Sequence, residues 1–71
     1  MPWIKVSDMT PPENEQILIH DERNNRMEVG RYVDGEWFIE HARSGQLSKT
    51  SGVTHWAWML DSEINRDSGD D

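Results

Sequence analysis

Asp34-Gly35 stands between two runs rich in strand-forming residues, "RMEVGRYV" at 26–33 and "EWFIEH" at 36–41. Asp-Gly is a preferred pair for a two-residue hairpin loop of type I′, whose left-handed backbone it adopts at little steric cost. The pair predicts an antiparallel hairpin, and with it a sheet architecture. A two-residue loop puts Tyr32 opposite Trp37 and Gly30 opposite Ile39 on one face. Met27, Val29 and Val33 then share the other face with Phe38. A three-residue loop with a bulge aligns Val33 with Trp37 instead. Periodicity leaves both registers open.

The rest of the chain supplies strands more readily than helices. "WIKV" (3–6), "ILIH" (17–20) and "VTHWAWML" (53–60) are short apolar runs of strand length. Pro11 and Pro12 interrupt the first connection, and "DERNN" (21–25) has turn chemistry. "ARSGQLSKTSG" (42–52) reads as a polar loop. No segment carries a useful helical stripe, leaving at most one helical turn at 7–15 or 61–66. The expected fold is mostly β, with little helix. It is a small twisted antiparallel sheet of four or five strands, open or partly closed, over residues 1–60. Residues 61–71 form an acidic tail too polar to pack, expected to be disordered.

Only 34% of the 71 residues are hydrophobic, so the core is small and leans on four tryptophans. Marginal monomer stability makes a homodimer a reasonable expectation. With no cysteine, disulfides, thiolate nucleophiles and cysteine-liganded zinc are excluded. No apolar run reaches the roughly 20 residues of a membrane-spanning helix, and "MPWIKVSD" lacks a signal-peptide core. The expectation is a soluble cytoplasmic protein.

The formal charge is −7, of which residues 61–71 contribute −4 and residues 1–60 contribute −3. This balance opposes direct binding to nucleic-acid phosphates and favours a basic protein partner. Acidity that only maintains solubility is the plainer explanation.

Alternation along 53–60 puts Thr54, Trp56, Trp58 and Leu60 on one face and Val53, His55, Ala57 and Met59 on the other. A strand apolar on both faces is usually central. With no helix to cover a second face, the sheet must curl or meet another subunit. His55 has three readings: a hydrogen-bonded structural histidine, a pH-responsive or partner-contacting one, or a catalytic or metal-binding one. His20, His41 and His55 could converge on a metal only if their strands are neighbours. The serines lie in no nucleophile-elbow pattern, and the five glycines form no phosphate-cradling loop. Carboxylate pairs such as Glu13 with Glu15 and Asp21 with Glu22 read as solvated loops. No cofactor or metal is expected.

"WIKVSDMTPPE" at 3–13 and "GVTHW" at 52–56, with Ile17 to Ile19, Gly30, Tyr32 and Trp37 between them, resemble a family of short phage and prophage proteins catalogued as a domain of unknown function. Its members begin with W-I-x-V-S-D-x-x-P and close with V-T-H-W. They usually continue into a methionine-proline-leucine-proline-like stretch. This chain has Ala57-Trp58-Met59-Leu60-Asp61 there, without proline, which points to a longer final strand and a second exposed aromatic surface.

The resemblance implies a bacterial mobile-element context and no established activity. Together with the acidity it leads to the expectation of a non-enzymatic inhibitor in the bacterial host cytoplasm. Such a protein would bind a basic, nucleic-acid-binding complex, of the CRISPR-effector type, by mimicking nucleic acid. Its contact acids would come from Glu13, Glu15, Asp21, Glu22, Glu28, Asp34, Glu36 and Glu40. The alternatives are a homo-oligomeric assembly protein using Trp58 and Met59, and a small metal-dependent or hydrolytic enzyme using His55.

Overall fold

The computed structural model describes residues 3–59. The acidic tail at 61–71 and the helical turn considered at 61–66 lie outside the described residues. Six strands form one antiparallel sheet: β1 (Ile4–Lys5), β2 (Ile17–Asp21), β3 (Arg26–Val33), β4 (Glu36–Glu40), β5 (Leu47–Thr50) and β6 (His55–Trp58). Their order is β1-β6-β2-β3-β4-β5. No helix forms among the described residues, and the 7–15 region contributes only turns, at 6–8 and 13–14.

The β3–β4 hairpin has the two-residue loop. Tyr32 pairs with Trp37 and Gly30 with Ile39, and Asp34 and Gly35 have φ of 52° and 79°, as a type I′ turn requires. Glu13 fastens this turn from outside, its Oε2 accepting the Asp34 N–H at 2.8 Å.

The segment read as a polar loop contains a strand. Leu47–Thr50 pairs with β4 from Glu40↔Leu47 to Trp37↔Thr50 and forms one edge of the sheet. An edge strand is held mainly by backbone hydrogen bonds, so it needs no apolar stripe, which is why composition hid it. The turn before it is built on Gly45 at φ 72°, whose N–H reaches the His41 carbonyl at 2.8 Å. β5 raises the strand count to six.

Of the 53–60 run, His55–Trp58 form the strand and Met59 lies in a turn, while Leu60 lies outside the described residues. It is central, between β1 and β2. A bulge at its start overturns part of the expected alternation. His55 stands opposite His20, yet the Thr54 N–H also donates to the His20 carbonyl, at 2.8 Å. Two residues thus address one, as in a β-bulge. Thr54 swings to the side of His55, and Val53 packs instead against the core of Ile17, Ile19 and Trp56.

Chain reach explains the sheet's curvature. β5 and β6 are separated by three strands, about 19 Å in a flat sheet. The five steps from Thr50 to His55 span at most about 18 Å fully extended. The sheet therefore curls, bringing Thr50 and Val53 over Ile19 and Ile39 around a cavity of about 40 Å³. It stays open, with β1 and β5 as edges.

Inside the concavity Trp56 and Ile17 are fully buried, flanked by Ile4, Val6, Trp37, Ile39 and Val53. The Trp56 indole N–H donates to the Met9 carbonyl at 2.8 Å, so burial leaves no polar atom unpaired. Gly30 is buried on this side, opposite both Ile17 and Ile39. A Cβ there would run into the Phe38 carbonyl oxygen and come within 3.0 Å of Ile19 Cδ1.

The β2–β3 connection is closed by Asp21. Its carboxylate accepts the Asn24 side-chain amide at 2.8 Å and the Asn24 backbone N–H at 3.2 Å, and Asn25 adopts φ 55° to turn the chain. The Asn24 side-chain amide, reinforced by backbone N–H groups and Arg23, holds the Asp21 carboxyl below its ordinary value of 3.8.

Two outcomes are expected from this framework. Gly30→Ala destabilises the fold by about 1–3 kcal/mol, read from urea unfolding, because the obstructing Phe38 oxygen is backbone and cannot swing aside. For Asp21, the lowered carboxyl means its stabilisation is complete above the ordinary value and fades as pH falls below it. Asp21→Asn should therefore be less stable than the wild type at neutral pH and lose less stability between about pH 5 and pH 2.

Candidate functional site

The eight contact acids fall into three groups. Three are in ion pairs: Glu28 with Arg26 at 3.3 Å, Glu40 with Arg31 at 2.9 Å and Glu36 with Lys49 at 3.2 Å. The Glu40 pair is the most enclosed. Arg31 also donates to the Asn14 carbonyl at 2.7 Å, and Gln16 donates to the same Glu40 oxygen at 3.3 Å. A partly buried carboxylate with two donors acts as a structural strut between β3, β4 and the segment before β2.

A second group lies at the β3–β4 turn. Glu13 reaches Asp34, and Asn14 is tied to Tyr32 by an N–H···O bond of 2.8 Å. This brings Glu13, Glu15 and Asp34 to one end of the hairpin. The third group, Asp21 and Glu22, belongs to the β2–β3 turn, with Arg23 beside it in sequence.

Register separates the strand acids as well. Glu28 lies on the concave side, opposite Ile19. Glu36 and Glu40 alternate with Trp37 and Ile39 and so lie on the convex side. The eight acids thus do not form one row.

Among residues 3–59 there are nine acids and six bases. The three ion pairs remove three of each, leaving Asp8, Glu13, Glu15, Asp21, Glu22 and Asp34 against Lys5, Arg23 and Arg43. The Glu13–Glu15–Asp34 end holds none of those three cations.

Trp58 ends β6 and Met59 lies in the turn after it. Trp58 pairs with Ile17 and meets Trp56 edge-on, ring centroids 5.0 Å apart, while 36% of it stays exposed. Met59 lines a groove with Gln16, Val29, Ile39 and Glu40. Met27, opposite His20, and Leu47, opposite Glu40, add exposed apolar surface on the convex side.

The three histidines separate into a pair and a single. His20 and His55 are directly opposite across β2 and β6, ring centroids 6.0 Å apart. Trp3 stacks on His20 at 5.1 Å. His41 lies apart, its Nε2 2.8 Å from Ser48 Oγ.

Thr54 Oγ1 is 2.8 Å from His55 Nδ1, accepts the Glu22 N–H at 3.1 Å, and donates to the His20 carbonyl at 3.2 Å. One hydroxyl proton and two lone pairs are then all engaged, so this threonine is a knot between strands with no spare capacity to act as a nucleophile. The pairing of His20 with His55 was not readable from spacing, since 35 positions separate them. Only the order of strands brings them together.

No curated protein and no solved structure matches the chain. The family model described as "Protein of unknown function (DUF551)" matches residues 2–61, taking in all six strands. The chain belongs to this DUF551 family of unknown function.

Proposed function

We propose that this protein is a non-enzymatic binding protein that engages a basic, nucleic-acid-binding host protein through carboxylates, as an inhibitor encoded by a phage or prophage. The observation that carries this reading is the acidic end formed by Glu13, Glu15 and Asp34, none of which is in an ion pair among the described residues. Glu13 is braced against the turn and Asp34 sits in a rigid type I′ loop, so two of the three charges are positioned before any partner arrives. Such a patch presents anionic oxygens to a lysine- and arginine-lined groove and displaces the counterions that nucleic acid would displace. The mobile-element context implied by the end motifs, and action in the host cytoplasm, belong to the same proposal.

The test is capture from bacterial lysate by the wild type and by Glu13→Gln/Glu15→Gln/Asp34→Asn. The amide oxygen introduced by Glu13→Gln can still accept the turn N–H, and Asn-Gly is as good a type I′ loop as Asp-Gly, so the fold should be retained. The expected result is a basic nucleic-acid-binding protein that is held at low salt, released at high salt, displaced by duplex DNA, and not retained by the triple variant. Salt-insensitive capture, or equal capture by the variant, would sink the proposal.

A second reading, self-assembly through Trp58, is favoured by the half-open seating of that ring against Trp56. Light scattering separates it. A wild-type dimer that Trp58→Ala converts to monomer supports assembly, and a mass unchanged by the substitution opposes it.

A further inference from the structure

We propose that His20 and His55 form a two-imidazole site on the convex face for a single transition-metal dication of the Cu²⁺, Ni²⁺ or Zn²⁺ class. The two side chains leave the same face of adjacent antiparallel strands at directly opposed positions. The backbone ladder, and not a flexible loop, therefore fixes their separation. With metal–nitrogen distances of about 2.0–2.1 Å, two imidazoles on one ion have ring centroids about 5 Å apart at a tetrahedral angle and about 6.4 Å apart when opposed. The observed 6.0 Å lies between these limits, so rotation about the side-chain torsions suffices, without backbone movement.

The surroundings orient both rings. Thr54 Oγ1 can make its contacts with Glu22, His20 and His55 together only if its own proton goes to the His20 carbonyl. It then accepts from both the Glu22 N–H and His55 Nδ1–H. This assignment follows from the hydrogen-bond network. It leaves His55 Nε2 with a free lone pair, the form in which imidazole binds a metal, with a second group holding the other nitrogen. His20 is held by the stacked indole of Trp3, ring centroids 5.1 Å apart.

The donor set selects the class of ion. Two neutral nitrogens suit borderline metals, whereas Mg²⁺ and Ca²⁺ require oxygen ligands. Among the described residues no three His, Cys, Asp or Glu side chains converge, and water can fill the positions the two imidazoles leave open. Lys5, opposite His55 on β1, is exposed and its flexible stem keeps the ammonium in solvent. The site is independent of the acidic end and of the binding role proposed for it.

The test is titration of the full chain with Cu²⁺, and separately Ni²⁺, followed by calorimetry and by paramagnetic broadening of NMR signals. The expected result is one saturable equivalent, tighter for Cu²⁺ than for Ni²⁺, with broadening centred on His20, His55, Thr54 and Trp3. His20→Gln and His55→Gln should each weaken binding by about tenfold or more, while His41→Gln binds like the wild type. The wild-type broadening map decides the matter even if a variant fails to fold. Broadening centred on His41 or the acidic tail, absence of saturable binding, or undiminished affinity in a folded His20→Gln protein would each overturn the site.

Discussion

The short connection from β5 to β6 is the constraint on which the rest of the structure depends. Residues 51–54 must carry the chain from one edge strand to a strand near the opposite edge. Four residues cannot do so over a flat six-stranded sheet, so the sheet rolls its β3–β4–β5 side toward β6. A single sheet of this size has no second layer to pack against, and rolling is what gives it an interior. Gly30 is part of the same solution. A side chain there would collide with the Phe38 backbone and Ile19, in the middle of the bend where β3 must lie close to its neighbours. Trp56 then fills the concavity, and the Met9 carbonyl satisfies its indole. A sequence with one-third apolar residues can thus fill its core, because one large side chain from a central strand does the filling of several small ones.

Much of this framework was legible because local chemistry determined it. Asp34-Gly35 specified the β3–β4 turn, and the observed φ angles and register follow from the two-residue loop. The apolar runs marked β2 and β6, and apolar character on both sides of β6 pointed to its central position. What was missed lay where backbone hydrogen bonds outweigh side-chain burial. Leu47–Thr50 is a strand because β4 offers it a free edge, which no property of "LSKT" announces. The bulge at Thr54 was hidden for a related reason. Alternation assumes an unbroken ladder, and one extra residue reverses which side Val53 and Thr54 face. The candidate site was less legible than the fold. The sequence offered acids in plenty, but which carry surplus charge depends on cross-strand ion pairs that no linear spacing encodes.

Those pairs also separate two uses of one residue type. Glu40 is held by Arg31 and Gln16 where it is largely withdrawn from water, and its role is to fix the segment before β2 onto the hairpin. Glu13 does similar work for the turn through one oxygen while remaining exposed. An acidic protein of this size is therefore not uniformly acidic as a surface. The ion pairs neutralise the strands and leave the surplus negative charge at the turns.

Val53, Thr54, His55 and Trp56 follow one another at the start of β6, and the geometry assigns each a different task. Val53 drops into the core because the bulge turns it there. Thr54, turned the other way by the same bulge, joins the end of β2 to β6 through Glu22 and His20. His55 meets His20 across the ladder, and Trp56 returns to the interior. In a regular strand Val53 and His55 would share a face, and a threonine at position 54 would lie beneath the sheet with Trp56. The single extra residue places a hydroxyl beside the histidine ring and a methyl-bearing side chain against the tryptophan, so the bulge that completes the core also orients the imidazole on the opposite face.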